Sequence, residues 1–307
     1  MKLRLISGTS NIPLAEGISM HLGLPLTKRI INRFADQEIY VQISENVRGD
    51  DVFIIQSISN PVNDSLIELL ILIDALKRAS AGRITAVITY YGYARQDRKA
   101  EAREAITAKL VADMISAAGA SRVLTIDLHA PQIQGFFNVP VDEVSAIPLF
   151  SKYFLEKNIT DGVVVSPDSG GVKRARFLAK RLNMPIAIID KRRTAHNEAE
   201  VVNVVGDIAG KTAILIDDII DTGNSIVKAA DELAKTAKEV YICATHPVFS
   251  TGCDNKLRKC KAKEIVVSNT IFLNCDSDKI KVINMDKFLS EVINNIHRHK
   301  SVSELFN

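Results

Sequence analysis

Short apolar, β-branched runs recur along the chain: ITAVITYY (84–91), RVLTIDLH (122–129), GVVVSPD (162–168), PIAIIDK (185–191), TAILIDD (212–218) and EVYICATH (239–246). They lack the strict alternation of a strand with one wet face, so each reads as a strand covered on both sides. Between them, SLIELLILIDALKRAS (65–80), ITAKLVADMISAAG (106–119), GVKRARFLAKRL (171–182) and NSIVKAADELAKTAK (224–238) carry apolar residues at helical period. Such alternation predicts an α/β protein with parallel sheets flanked by helices. A chain of 307 residues has room for two domains, and FFNVPVDEVSAIP (136–148), with two prolines and little periodicity, is the predicted crossing.

Composition narrows the function. With 47% apolar and 24% charged residues the chain is globular, which sets disorder aside. A net charge of +3 with interleaved signs is too small for the basic face of a nucleic-acid binder, whereas local basic clusters suffice for a small anion. The N-terminus MKLRLISGTSNIPLAEGIS places charges among its first apolar residues, and no stretch reaches the ~18 apolar residues of a membrane span. Cys243, Cys253, Cys260 and Cys275 form no C-x-x-C pair. They read as reduced thiols, and a cytoplasmic protein without a membrane partner is expected.

Open parallel sheets bind ligands beyond the carboxyl ends of their strands. Those ends carry Arg95 and Asp97, then His129, Asp168, Lys191 with Arg193, and Asp217 with Asp218. YARQDRK (93–99) is either a solvated salt-bridged loop or a clamp in which Arg95 and Gln96 hold a polyphosphate. His129 with Asp168 is too small a set for a structural zinc site. It suits Mg²⁺ held mainly by substrate phosphates and water, beside the alternative of a satisfied structural histidine. In DKRRTAHNEAE (190–200), extended backbone would point Lys191 and Arg193 the same way. The pair is either an exposed basic turn or a neutraliser of charge on a transferring phosphoryl group. HRHK (297–300) reads as a solvated helix end.

VVGDIAGKT (204–212) imitates a P-loop, but Gly206 is one residue too close, and the stretch leads into a strand rather than out of one. AILIDDIIDTGNSI (213–226) has the context the first motif lacks, a strand, a turn and then a helix. Thr222, Gly223, Asn224 and Ser225 can offer N–H groups and hydroxyls to a phosphate at the helix start. Asp217, Asp218 and Asp221 stand just upstream, able to accept from hydroxyls, so a sugar phosphate has the required shape.

That stretch resembles the phosphoribosyl-binding motif of type I phosphoribosyltransferases. The chain as a whole is similar to the ribose-phosphate pyrophosphokinase family, from RFADQEIYVQISENVRGDDVFIIQS (33–57) through YARQDRK, DLHAPQIQGFF, SPDSGGVKRAR and DKRR to the acidic turn and SVSELF. The resemblance implies two similar type I phosphoribosyltransferase domains, 1–145 joined by the tail 294–307, and 146–293. It implies transfer of the β,γ-diphosphoryl group of ATP to the C1 hydroxyl of ribose 5-phosphate, giving phosphoribosyl pyrophosphate and AMP. Asp36, Gln37 and Glu38 with Arg95 and Gln96 would then hold ATP, supported by Phe34 and Asp97. His129 and Asp168 would serve Mg²⁺, and Lys191 and Arg193 would stabilise the transition state. Arg193, Asp217 and Asp221 through Ser225 would hold ribose 5-phosphate, with Asp218 in support.

Certain positions depart from the family pattern. Gln37 stands where glycine is common and Thr89 where proline is common; Asn224-Ser225 replaces a smaller residue followed by threonine, and Thr194-Ala195-His196 is atypical. The family assembles as hexamers that respond to phosphate and ADP, which would put Arg48, Ser80, Ser301 and Ser303 near regulatory contacts. Two other functions are weighed beside the synthetase: a phosphoribosyltransferase that consumes phosphoribosyl pyrophosphate, and a non-catalytic paralogue that regulates an active partner.

Overall fold

The first half of the chain runs β1 (Leu3–Ser7), α1 (Ile12–Leu22), β2 (Arg29–Arg33), β3 (Ile39–Ile43), β4 (Asp51–Gln56), α2 (Val62–Arg78), β5 (Arg83–Ile88), α3 (Thr107–Ala118), β6 (Arg122–Ile126) and β7 (Val141–Val144). There follow α4 (Ile147–Glu156), β8 (Gly162–Ser166), α5 (Val172–Leu182), β9 (Ile186–Arg192), β10 (Val201–Val205), β11 (Thr212–Ile220) and α6 (Asn224–Leu233). The chain closes with β12 (Glu239–Pro247), α7 (Cys253–Lys259), β13 (Glu264–Ser268), β14 (Ile280–Ile283) and α8 (Asp286–His297). This computed structural model describes residues 1–192, 201–275 and 277–306, with backbone alone at Lys191, Arg192, Val201, Val202, Leu305 and Phe306. Arg193 and Thr194-Ala195-His196 lie outside the described residues.

Two units result: Met1–Ser145 with Thr270–Phe272 and Asn284–Asn307, and Ala146–Asn269 with Leu273–Ile283. The first has a wholly parallel sheet in the order β1-β4-β5-β6-β7, and an antiparallel hairpin, β2–β3. The second has the order β10-β9-β8-β11-β12-β13-β14, antiparallel only between β9 and β10. Position for position, β1-β4-β5-β6-β7 repeats β8-β11-β12-β13-β14, and β2–β3 falls in chain order where β9–β10 falls in the second unit. The apolar runs explain the central strands: β4, β8 and β13 are buried at every residue, as parallel strands covered on both faces must be.

The helices bury one stripe each. α2 turns Leu66, Leu69, Leu72, Ile73 and Leu76 into the first core, each such side chain contributing about 1.5–3 kcal/mol. α6 places Ile226, Ala229, Ala230 and Leu233 in the second core. It ends at Leu233, short of the periodic stretch, and residues 234–237 close as hydrogen-bonded turns. Of the six strands expected from the pattern, β5 ends at Ile88, three residues short of Tyr91, and β6 also stops early, where Asp127 takes φ +36° and carries the backbone out of the sheet. His129 therefore stands in the loop three residues beyond the strand.

α8 packs against α1. A Cβ at Gly17 would meet Asp286 Oδ2 at 2.5 Å, so the helices approach where glycine alone leaves room. The end of α8 is tied to the sheet by Asp51, which is fully buried and accepts from Arg83 Nε at 2.7 Å, with His297 Nδ1 at 2.7 Å from its other oxygen. The HRHK segment is thus solvated at Arg298, His299 and Lys300, whereas His297 faces a buried carboxylate. No helix among the described residues is long and apolar enough to cross a membrane.

Candidate active site

In the second unit, β8 leads through α5 to β9 on one side, and its neighbour β11 leads through α6 to β12 on the other. The connections part between β8 and β11, which makes their carboxyl ends the crevice where an open sheet takes a ligand. β8 ends at Ser166, with Pro167 and Asp168 just beyond it, while β11 pairs with β8 only as far as Leu215↔Val165 and continues to Ile220 against β12. Asp217 and Asp218 thereby stand on a strand that overhangs its neighbour. β9 pairs with β8 up to Ser166↔Ile188, so the backbone at Lys191 extends about 10 Å further along the same edge.

Arg174, in the first turn of α5, reaches both carboxylates: Nη1 is 3.3 Å from Asp217 Oδ1 and Nη2 is 3.3 Å from Asp218 Oδ1. Asp218 is buried and Asp217 half-buried. Burial, and then the charge of Asp218 beside it, push the Asp217 carboxyl up to about 8, with Arg174 opposing. The pair therefore holds a proton near neutrality and can both donate to and accept from sugar hydroxyls.

The turn beyond Ile220 is held from α7 and the loop before it. Ser250 donates its N–H to the Asp221 carbonyl at 3.2 Å, its hydroxyl meets Asp221 Oδ1, and Lys256 Nζ donates to the Thr222 carbonyl at 3.2 Å. Gly223 is the N-cap of α6 at φ +76°, and a Cβ there would stand 3.0 Å from Cys253 Sγ. As N-cap, Gly223 has no side chain to bond the first turn of α6, whose residues Asn224 and Ser225 are exposed. Backbone N–H groups at such a helix start suit a phosphate. The Gly-Lys-Thr rejected as a P-loop leads into β11, whose first residue is Thr212, with Gly210 at φ +70° as a turn residue.

The remaining expected ligand groups lie in the first unit. The β2–β3 hairpin closes through Phe34–Glu38, with Gln37 N–H on the Phe34 carbonyl at 3.0 Å and Glu38 N–H on Asp36 Oδ1 at 3.1 Å. Gln37 adopts φ +75°, a conformation that favours glycine. Phe34 is exposed and meets Tyr40 edge-on at 5.7 Å. Arg95 and Gln96 are exposed in the loop after β5, where Gln96 N–H bonds the Tyr93 carbonyl at 2.9 Å and the Gln96 carbonyl accepts from Ala108 N–H at 3.2 Å. Asp97 Oδ2 accepts from Gln132 Nε2 at 3.0 Å, which ties this loop to the 3-10 turn Pro131–Phe136 that follows His129.

The expected regulatory groups fall in two pairs within the first unit. Gly49 N–H bonds the Ser80 carbonyl at 2.8 Å beside the Arg48↔Ala81 bridge, and the hydroxyls of Ser301 and Ser303 are 2.8 Å apart.

Arg174 is the group that sequence reasoning passed over. Its signal was present: α5 opens Val-Lys-Arg with no acidic residue in its first turn, although cations there oppose the helix dipole. Such a placement calls for an anionic partner, and Asp217 with Asp218 supply it.

A mainly parallel sheet with two carboxylates at its switch point and a helix start beyond them defines an α/β protein built to take a ligand at its strand ends. Comparison with known proteins narrows this. Residues 3–119 match the N-terminal domain of ribose phosphate pyrophosphokinase, and residues 192–307 match the phosphoribosyl synthetase-associated domain. The chain is 56% identical to the ribose-phosphate pyrophosphokinase of Bacillus caldolyticus over 99% of its own length and 98% of that protein. It is 53% identical to that of Corynebacterium ammoniagenes over 99% and 97%. Its structure superposes with a TM-score of 0.92 on the crystal structure of phosphoribosylpyrophosphate synthetase from Mycobacterium smegmatis, at 42% identity, covering 97% of this chain and all of that one. The chain belongs to the ribose-phosphate pyrophosphokinase family, and its enzyme activity is that of a ribose-phosphate diphosphokinase.

Proposed function

We propose that the β11–α6 turn seats ribose 5-phosphate, with the 5-phosphate on Thr222, Gly223, Asn224 and Ser225 and the ribose hydroxyls on Asp217 and Asp221, while Asp218 and Arg174 set the charge of the pair. The observation that carries this reading is the switch-point arrangement: an open helix start following two carboxylates bridged by one arginine. ATP is assigned to Asp36, Gln37 and Glu38 with Phe34, and to Arg95 and Gln96 with Asp97. The exposed ring of Phe34 suits stacking on a base, and an exposed guanidinium suits phosphate oxygens.

In the reaction the C1 oxygen of ribose attacks the β-phosphorus as the bond to the α-phosphate oxygen breaks, and AMP departs. Lys191 on β9, together with Arg193, is assigned to the charge that spreads over the transferring oxygens. Mg²⁺ is assigned to His129 of the first unit and to Asp168 of the second, each taken by itself. Among the described residues no group of three or more His, Cys, Asp or Glu could hold a metal, and His129 and Asp168 are both exposed. One oxygen of Asp168 accepts from Gly171 N–H at 2.9 Å. A Mg²⁺ held by these residues would be bound chiefly by substrate phosphates and water and would neutralise phosphate charge. Hexameric assembly, with phosphate and ADP acting through Arg48, Ser80, Ser301 and Ser303, belongs to the same reading and is checked by light scattering and by assays with and without each effector.

Incubation with Mg²⁺, ATP and ribose 5-phosphate should yield AMP and phosphoribosyl pyrophosphate in equal amounts. Assembled protein that forms neither would refute the assignment, and base-dependent release of pyrophosphate from phosphoribosyl pyrophosphate would replace it.

A further inference from the structure

Two loops of the first unit, remote in sequence, each turn through a side-chain-bearing residue at left-handed φ: Gln37 at +75° and Tyr93 at +66°. Such residues carry strain and persist where neighbours hold them in place. Both are held from the first turn of α2. Arg33 Nη2 donates to Asp64 Oδ2 at 2.7 Å, and Nη1 of the same guanidinium donates to the Gln37 carbonyl at 3.2 Å. One residue earlier on the helix, Asn63 Oδ1 accepts from the Tyr93 hydroxyl, and the Tyr93 carbonyl in turn receives the Gln96 N–H at 2.9 Å.

We propose that Asn63 and Asp64 are positioning residues for ATP: one helical turn that sets the conformation of both the Phe34–Glu38 loop and the Arg95–Gln96 loop. This rests on the assignment of ATP to those loops. Neither contact is needed to hold the helix. α2 is anchored by five large apolar residues in the core, whereas the side chains of Arg33 and Asp64 are 40% and 44% accessible, and an exposed ion pair adds little stability. What the pair does supply is direction. A helix fixed by its core is a rigid platform, and the two loops borrow that rigidity through Asp64 and Asn63. The consequence reaches both loops through adjacent residues, so loosening either contact disturbs one loop and loosening both disturbs the whole set of groups assigned to ATP.

The test measures kcat and both KM values on the assembled protein, the unfolding temperature, and ATP affinity by calorimetry without ribose 5-phosphate. Asp64→Ala and Asn63→Ala should each weaken ATP roughly tenfold, equivalent to about 1.4 kcal/mol, with kcat, the KM for ribose 5-phosphate and the unfolding temperature unchanged. Asp64→Glu should recover part of the loss. Arg33→Ala/Asp64→Ala should be no weaker than Asp64→Ala, because the two act as one contact, whereas Asn63→Ala/Asp64→Ala should be weaker than either single change. Unchanged ATP affinity in both single variants overturns the proposal, as does an equal rise in both KM values, which marks general loosening. Wild-type protein that binds ATP without turnover refutes the catalytic reading alone, and the calorimetric arm then decides the brace. Wild-type protein that fails to bind ATP overturns both.

Discussion

Arg174→Met removes a cation from between two carboxylates while keeping most of the side chain's bulk. Arg174 stands 3.3 Å from each, and the side chains of Arg174, Asp217 and Asp218 are 16, 28 and 5% accessible, so water replaces the guanidinium incompletely. Taking one partner from a well-buried pair costs about 3–5 kcal/mol, and from an exposed pair at most about 1. This site lies between, at about 2–3 kcal/mol, or a fall in unfolding temperature of roughly 4–12 °C for the second unit. The loss should depend on pH. The Asp217 carboxyl titrates near 8 in the folded protein, above its usual range, so the stability it contributes is complete below the unfolded value of about 3.9 and is lost as pH rises through about 8. The Asp217 carboxyl is protonated at pH 5.5 and charged above pH 8, so the guanidinium offsets one more negative charge at the higher pH and the substitution should cost more there. At pH 8.5, half a unit above the Asp217 value, the excess is at most about 0.8 kcal/mol however far the change raises that carboxyl. Scanning calorimetry of ligand-free protein at pH 5.5 and 8.5 reads both effects. An equal fall at the two values would mean that Arg174 contributes packing only, and the charge argument would be wrong.

Three further outcomes are expected. Gly223→Ala forces a left-handed φ on a residue with a Cβ that meets Cys253 Sγ at 3.0 Å; it should cost about 1–2 kcal/mol in urea unfolding and raise the KM for ribose 5-phosphate while leaving ATP affinity unchanged. Gln37→Gly should be more stable than Gln37→Ala by about 1 kcal/mol, since only the alanine retains a Cβ at φ +75°; equal midpoints in urea would deny the strain. Lys191→Ala should lower kcat by roughly 10²–10³-fold with little change in the KM for ATP, and a large loss of ATP binding at unchanged kcat would move Lys191 to ground-state positioning.

Much of the acidic turn was legible along the chain because its parts are neighbours. A strand, three carboxylates, a glycine turn and a helix start lie within AILIDDIIDTGNSI, and the structure keeps them in that order on β11 and α6. The departure at Gln37 was equally visible as a residue where glycine is common, and the φ of +75° gives it a physical meaning that the letter alone lacked. Arg174 was missed because its partners lie more than forty positions away, and a cation in a helical first turn points to an anion without saying which. The early end of β6 was missed because one left-handed residue, Asp127, overrides an apolar pattern that continues past it.

By itself the sequence determined what depends on short-range order: which runs are strands buried on both faces, which stretches are helices with one apolar stripe, and where an acidic strand end meets a glycine turn and a helix start. Tertiary structure alone decided what depends on pairing across the chain. It set β8 beside β11 so that their connections part and open a crevice. It sent α8 back against α1, where Gly17 leaves room, and buried Asp51 beneath Arg83 and His297. It also gathered the loops at Gln37 and Tyr93 onto one turn of α2. The physical reason is that periodicity records which face of an element is apolar, whereas the choice of the surface that covers it is made by the packing of all elements together.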